Sequence, residues 1–252
     1  MRLAQGIKAV SLAFLFSAIV TVDLIETAIA QPTQETRIAR SSRRRLNFRV
    51  GVRPSRVRIG GFSRGSCGNQ PQLVALVPPP QTQERLAGDK TTVDKTTSGH
   101  PTFFVHLPAL PGSTGQFILK DEANTKELYS VDFDLTGQSG IVGIALPDST
   151  PTLQIGQKYR WQVAVNCDPN QPSRLVIISS WIERVKPPAT QGKDKLAVLA
   201  QQGIWQDTVT LLALQRYQRP NDRTVAEDWA ALMDDAGLPQ FKQSAVVQIV
   251  KN

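Results

Sequence analysis

The chain is short of the residues on which most enzyme chemistry rests. It holds two cysteines and two histidines in 252 residues. A zinc site wants Cys or His ligands at close spacing, and Cys67, Cys167, His100 and His106 do not offer it. A serine hydrolase needs a base beside its nucleophile, yet no G-x-S-x-G elbow occurs, and the two histidines are poorly placed. His100 precedes Pro101 in a polar stretch that does not fix its aim. His106 reads as a hydrogen-bonded residue within a strand. The glycine-rich segment 60–67 is followed by neither a P-loop lysine nor a helix start, so it does not cradle phosphate. Asp132 and Asp134 share one strand face about 7 Å apart. Asp121-Glu122 sits at a turn, where acidic residues are expected, and lacks the spacing of an EF-hand. These shortages argue against an enzyme, a metal centre or a bound cofactor.

Long apolar runs are also scarce. The one candidate, Ala9 to Val22, follows Arg2 and Lys8 and is ended by Asp23 and Glu26. Ala28-Ile29-Ala30 is a small-x-small cleavage site, so residues 1–30 read as a secretory signal peptide rather than an anchor. Its removal leaves 222 residues with no transmembrane span. The expected location is periplasmic or extracellular. In such a compartment a single cysteine pair is read as a disulfide, Cys67 to Cys167. The bridge would close a loop of about 100 residues, worth ~4–5 kcal/mol in the chain-entropy picture.

The formal charge of +8 is unevenly spread. Residues 31–66 carry ten arginines and one glutamate, whereas the remainder of the mature chain has 17 basic and 18 acidic residues. The basicity therefore belongs to one arm, residues 31–59, attached to a nearly neutral body. Arg43, Arg44, Arg45, Arg49, Arg53, Arg56 and Arg58 are the candidate polyanion contacts. Outside the cytoplasm the matching partners are anionic glycan, lipid headgroups or an acidic protein, and not nucleic acid. The same composition also suits a solvated linker that holds the domain off the envelope.

What the body does have is period-two alternation. From Tyr159 the odd positions Tyr159, Trp161, Val163, Val165 and Cys167 are apolar or aromatic, with Arg160, Gln162 and Asn166 between them. Leu153-x-x-Gly156-x-x-Tyr159 has the spacing of a tyrosine corner, in which the hydroxyl bonds to backbone a few residues upstream. Further strands are expected at 73–77, 102–107, 115–121, 127–135, 141–146 and 174–185, with a hairpin turn at Asp121-Glu122-Ala123-Asn124. The pattern predicts an antiparallel β-sandwich of immunoglobulin or fibronectin type over residues 60–186. Residues 81–100 are polar and read as a long mobile loop.

After Pro187-Pro188 the period changes to that of a helix. Helices are expected over 194–202, 204–218 and 224–236, the last two forming a helical hairpin in a segment, 187–239, on or beside the sandwich. Trp205, Val209 and Leu212 make one stripe, and Val225, Trp229, Leu232 and Ala236 another. Thr224-Val225-Ala226-Glu227 has capping-box spacing, with Gly203 and Gly237 as stops. The tail, 240–252, is ambiguous between helix and strand.

Several segments occur in an order that resembles a known family. They are GGFSRGSC at 60–67, LVALVP at 73–78, PTFFVHLP at 101–108, FILKDE at 117–122 and GIVGIALP at 140–147. IGQKYRWQVAVNCD at 155–168, WIERV at 181–185, GIWQDTVTLLALQRYQRPND at 203–222 and DWAALMDDAGL at 228–238 follow. The set is similar to the cyanobacterial domain-of-unknown-function family 928. That resemblance implies an exported protein of a photosynthetic bacterium and brings no activity with it. The expected function is that of a non-catalytic binding or scaffolding module of the cell envelope, joining to a protein partner. The alternative is a glycan- or anionic-polymer-binding module using the arginine arm, and a hydrolase with an unrecognised site stands behind both.

Overall fold

The structure, a computed structural model, describes residues 73–79, 93–168, 170–171, 175–190, 192 and 194–251. The signal segment, the arginine arm with all seven of its candidate contacts, and Cys67 lie outside the described residues.

Nine strands and three α-helices are described: β1 (Val74–Ala75), β2 (Asp94–Thr96), β3 (Thr102–Leu107), β4 (Thr114–Asp121), β5 (Glu127–Asp134), β6 (Gly140–Ala145), β7 (Lys158–Asn166), β8 (Leu175–Arg184), α1 (Lys195–Gln201), α2 (Trp205–Gln218), α3 (Arg223–Asp235) and β9 (Val246–Val250). The strands form a four-stranded sheet ordered β1-β3-β6-β9 and a five-stranded sheet ordered β2-β8-β7-β4-β5. Both sheets are mixed, because β2 pairs parallel to β8 and β9 pairs parallel to β6. The expectation of a wholly antiparallel sandwich is corrected there. Parallel neighbours need long crossover connections, and the helices that carry the chain from β6 to β9 lie in one of them.

The two sheets face each other across a core that strand alternation builds. Phe103, Val105 and Leu107 of β3 meet Phe117, Leu119, Trp161, Val163 and Val165 of β4 and β7, all at 2% exposure or less. At its centre the Phe103 ring lies 4.9 Å from Phe117 and 5.4 Å from Trp161, in tilted contact that suits ring quadrupoles. Tyr159 and Trp161 both point into this interior. The Tyr159 hydroxyl accepts a hydrogen bond from the Gln154 backbone N–H at 2.8 Å, as the corner spacing predicts. Gly156 turns the chain with φ of +82°, a left-handed value that glycine alone adopts without penalty.

The other face of the four-stranded sheet is also covered. Phe104 and Ile141 point away from the first core into a second one, where they meet Trp205, Val209, Leu212, Trp229 and Leu232. Polar contacts fix this helical layer. Trp205 Nε1 donates to the Leu76 carbonyl oxygen at 2.9 Å, Trp229 Nε1 to that of Phe241 at 3.0 Å, and Gln206 Nε2 to that of Thr102. The described residues thus form three layers, and the four-stranded sheet is the middle one.

The helix ends follow local chemistry with one change. Asp194 caps α1, and α3 stops at Gly237, whose φ of +73° lets the Leu238 N–H reach back to the Met233 carbonyl. The cap of α3 is Asp222 rather than Thr224, its carboxylate accepting from the N–H groups of Thr224 and Val225. Glu227 pairs instead with Arg223 at 3.0 Å.

One further expectation is corrected, and one left open is resolved. The polar stretch before Pro101 is not all loop: Asp94–Thr96 forms β2, with Asp94 and Thr96 buried. It is held at the edge of the five-stranded sheet by α2, whose Asp207 carboxylate accepts from the hydroxyl of Thr96 at 2.5 Å, the N–H of Thr97 at 3.0 Å and the Thr97 hydroxyl. The tail resolves as strand β9, with its approach pinned by Arg216, which donates to the carbonyls of Ser244 and Gln243 and lies over the Trp229 ring. Burial of that guanidinium lowers its pKa from the usual range.

Candidate binding face

The sites read from sequence do not converge. Asp132 and Asp134 are exposed on the outer side of β5, where Gln116 Nε2 donates to Asp132 at 2.9 Å. His106 lies on the other sheet, and its ring packs on Phe241 at 4.8 Å in the helix-facing core. No hydrogen bond to that ring stands among the described residues, and burial alone lowers its pKa from 6.5. His100 is better fixed than its loop suggested, with Nε2 2.9 Å from the Thr150 carbonyl and Nδ1 3.5 Å from Asp148. Asp148 is fully open to solvent, so this pair lines no cleft.

The Asp121 carboxylate is spent on its own turn. It accepts from the backbone of Lys126, from the hydroxyl of Thr125 and from the backbone of Thr125, and these bonds lower its pKa. That geometry is an Asx-type turn and leaves calcium little to bind. No cluster of three or more potential metal ligands occurs among the described residues. An indentation beside Leu107, Leu110, Leu135 and Val142 has about 170 Å³ of empty space, open solvent included, and no titratable lining. Ligand pockets are usually ~300–1,000 Å³.

What the structure does assemble is a face. The five-stranded sheet is covered on its inner side, and its outer side meets solvent. A half-wet sheet should alternate apolar-in with polar-out. β7 obeys, with Lys158, Arg160, Gln162 and Asn166 outward. β8 does not. Val176, Ile178 and Ile182 point inward, yet Leu175, Ile177 and Trp181 occupy the outward phase. Leu175 and Ile177 are each 40% exposed, and Trp181 is half-buried while Trp161, Trp205 and Trp229 are fully enclosed. Register places these side chains in rows across the strands. Ile177 stands opposite Ala164 and Gln116 follows, while Trp181 stands opposite Arg160, and Arg160 opposite Lys120.

Sequence reading missed this face, although its signal was present. The run Leu175 to Ile182, LVIISSWI, is apolar on both phases of the alternation, which marks a strand with something to offer on each side. Of the expected disulfide, Cys167 is half-buried against the first core at the end of β7, and no free cysteine stands among the described residues. No helix among the described residues is long and apolar enough to cross a membrane.

A mainly β protein of two facing mixed sheets, with three C-terminal helices on one of them, is the class these features define. The family model of Domain of Unknown Function (DUF928) matches residues 59–246, well over half of the chain, and the chain belongs to that family. A search of the curated proteins finds no match.

Proposed function

We propose that the protein is an exported, non-catalytic binding module of the cell envelope that docks a protein partner on the outer face of its five-stranded sheet. The observation that carries this reading is the outward Leu175 and Ile177 of β8. Apolar side chains on the wet phase of a strand cost solubility, and grouped ones commonly mark a docking surface. Among the described residues, β8 has a second strand neighbour only at residues 182–184, where β2 pairs with it. The rest of that edge suits addition of a partner strand. The signal-like N-terminus supports an envelope location, and in that compartment Cys67 and Cys167 form the one disulfide.

Leu175→Asp/Ile177→Asp in the full chain tests the docking. The variant should retain the fold, since both side chains are outward, and should lose the partner that the parent captures from envelope extract. An apolar contact of this kind persists at 0.5 M salt, whereas attraction through the arginine arm fades as the screening length shrinks to a few ångströms. Capture that survives the substitution and disappears in salt would transfer the function to the arm. Thiol titration of the denatured, unreduced protein checks the bridge, with no reactive thiol expected.

A further inference from the structure

A bare strand edge is a template for unwanted pairing, and folded proteins blunt such edges with shortness, charge or a bulge. Among the described residues the edges of both sheets carry these devices in all places but one. β1 has two residues, and β2 has three and is latched by Asp207. β5 exposes Glu127, Asp132 and Asp134. β9 is bulged at Val247, because Val246 pairs with Ile141 and Gln248 with Val142. The exception is β8 from Leu175 to Trp181, before β2 joins it at Ile182. That run, LVIISSW, has no charge, no proline and an unbroken register with β7. Its inward side chains Val176, Ile178 and Ser180 are buried, yet no described strand runs along its other side.

We propose that the strand completing this edge comes from the chain itself, from residues 46–52 of the arm. Leu46, Phe48, Val50 and Val52 alternate there with Asn47, Arg49 and Gly51, the period of a half-buried strand. The segment is as long as the open edge, and Pro54 ends it. The other candidates within the chain are poorer. Val57 and Ile59 repeat the pattern for two apolar positions only, before Gly60-Gly61, and residues 80–92 are polar with no alternation. Reach is ample. β1, close to where the described chain begins, lies against β8, and the 21 residues between Val52 and Val74 extend to about 70 Å. A Cys67–Cys167 bridge would hold the chain at the Leu175 end of the edge, since Asn166 and Leu175 are register partners, although reach alone suffices. Paired to β8, the apolar phase lies beside Val176 and Ile178 and closes the core between the sheets. The other phase brings Arg49 to the rim of the outer face, beside Leu175 and Ile177. This goes beyond the docking proposed above, which concerns the face and not the edge, and either can fail alone.

The test is residue-resolved amide exchange on the full chain. In an antiparallel pair alternate residues turn their backbone groups away from the neighbour, so half of the amides from Leu175 to Trp181 point away from β7. Those amides should be protected in the parent. In Phe48→Asp/Val50→Asp they should exchange about tenfold faster or more, with the amides directed at β7 and those of β4 unchanged. Arg49→Gln, on the outward phase, should keep the protection. The proposal is overturned if the amides facing away from β7 exchange alike in the parent and the Phe48→Asp/Val50→Asp variant, or if Arg49→Gln alone frees them. Protection that appears only as the protein dimerises in sedimentation would give the strand to a second copy and overturn the pairing within one chain. A measurement on the parent stands even if the variant folds poorly. Trypsin should cut at Arg43, Arg44 and Arg45 well before Arg49, since a paired strand resists a protease. Equal rates at Arg45 and Arg49 would overturn the proposal.

Discussion

Single side chains in this protein divide into those whose bonding is complete and those whose bonding is not. Ser180 and Trp161 are a register pair in the core between the sheets, and neither Ser180 Oγ nor Trp161 Nε1 has a hydrogen-bond partner among the described residues. A buried hydroxyl without a partner forfeits its hydration for nothing, at a cost of ~1–3 kcal/mol. Ser180→Ala removes that oxygen and almost no volume, so it should raise the urea midpoint by the equivalent of ~1 kcal/mol. A clear loss of stability instead would mean that a buried water serves the pair. His106 gives the second prediction at this scale. Burial depresses its folded pKa, so between that value and 6.5 the unfolded chain binds the extra proton. Stability is then complete above pH 6.5 and falls as the pH drops through 6.5, levelling once the folded pKa is passed. His106→Phe keeps the ring against Phe241, and the midpoint difference between the two proteins across pH 5 to 7.5 should show this slope. Parallel profiles would exclude His106 as its source.

At the scale of elements, the pieces that were legible in sequence are those whose causes are local. The corner at Gly156 and Tyr159 is spelled out within seven residues. So are the stops at Gly203 and Gly237, and the stripes of α2 and α3 follow from the helical period alone. β2 and β9 escaped because their partners are remote in the chain: Asp94–Thr96 meets residues 182–184, and Val246–Val250 meets β6. A three-residue polar strand has no alternation to detect, and only the Asp207 carboxylate, 110 residues beyond Thr97, explains its place. The outer face of the five-stranded sheet was missed for a related reason. Alternation reports which side chains go inward, but the row Lys120, Arg160 and Trp181 exists only once three strands are in register. Asp207→Ala tests the β2 latch. It removes three bonds to a charged acceptor and strands the buried Thr96 hydroxyl, so a loss of ~2–4 kcal/mol is expected. The Val185 amide, which donates to the Thr96 carbonyl at 2.8 Å, should exchange with deuterium markedly faster than amides of the β4–β7 pair. Unchanged exchange at Val185 would show that β2 holds its edge without α2.

For the whole molecule the question is whether sheets and helices are one folding unit. The alternation of β3 answers it physically, since Phe103 enters the core between the sheets while Phe104, its neighbour, enters the core beneath the helices. The middle sheet therefore cannot form with one face wet, because Leu76, Phe104 and Ile141 would all be bared together. The chain supports the same coupling. β6 gains its parallel neighbour β9 only after the helices have been traversed, and Trp205 and Gln206 bond directly to the carbonyls of Leu76 and Thr102. A layer whose backbone acceptors and apolar faces are completed by another layer should melt with it. Calorimetry of the full chain should give a single transition whose van't Hoff and calorimetric enthalpies agree. Val209→Asp, placed in the helical core rather than in the core that holds Trp161, should lower that one midpoint and bring the loss of near-ultraviolet signal from Trp161 down with it. If the helices were instead a separate domain, Val209→Asp would split the melt in two and leave the Trp161 environment at its original temperature.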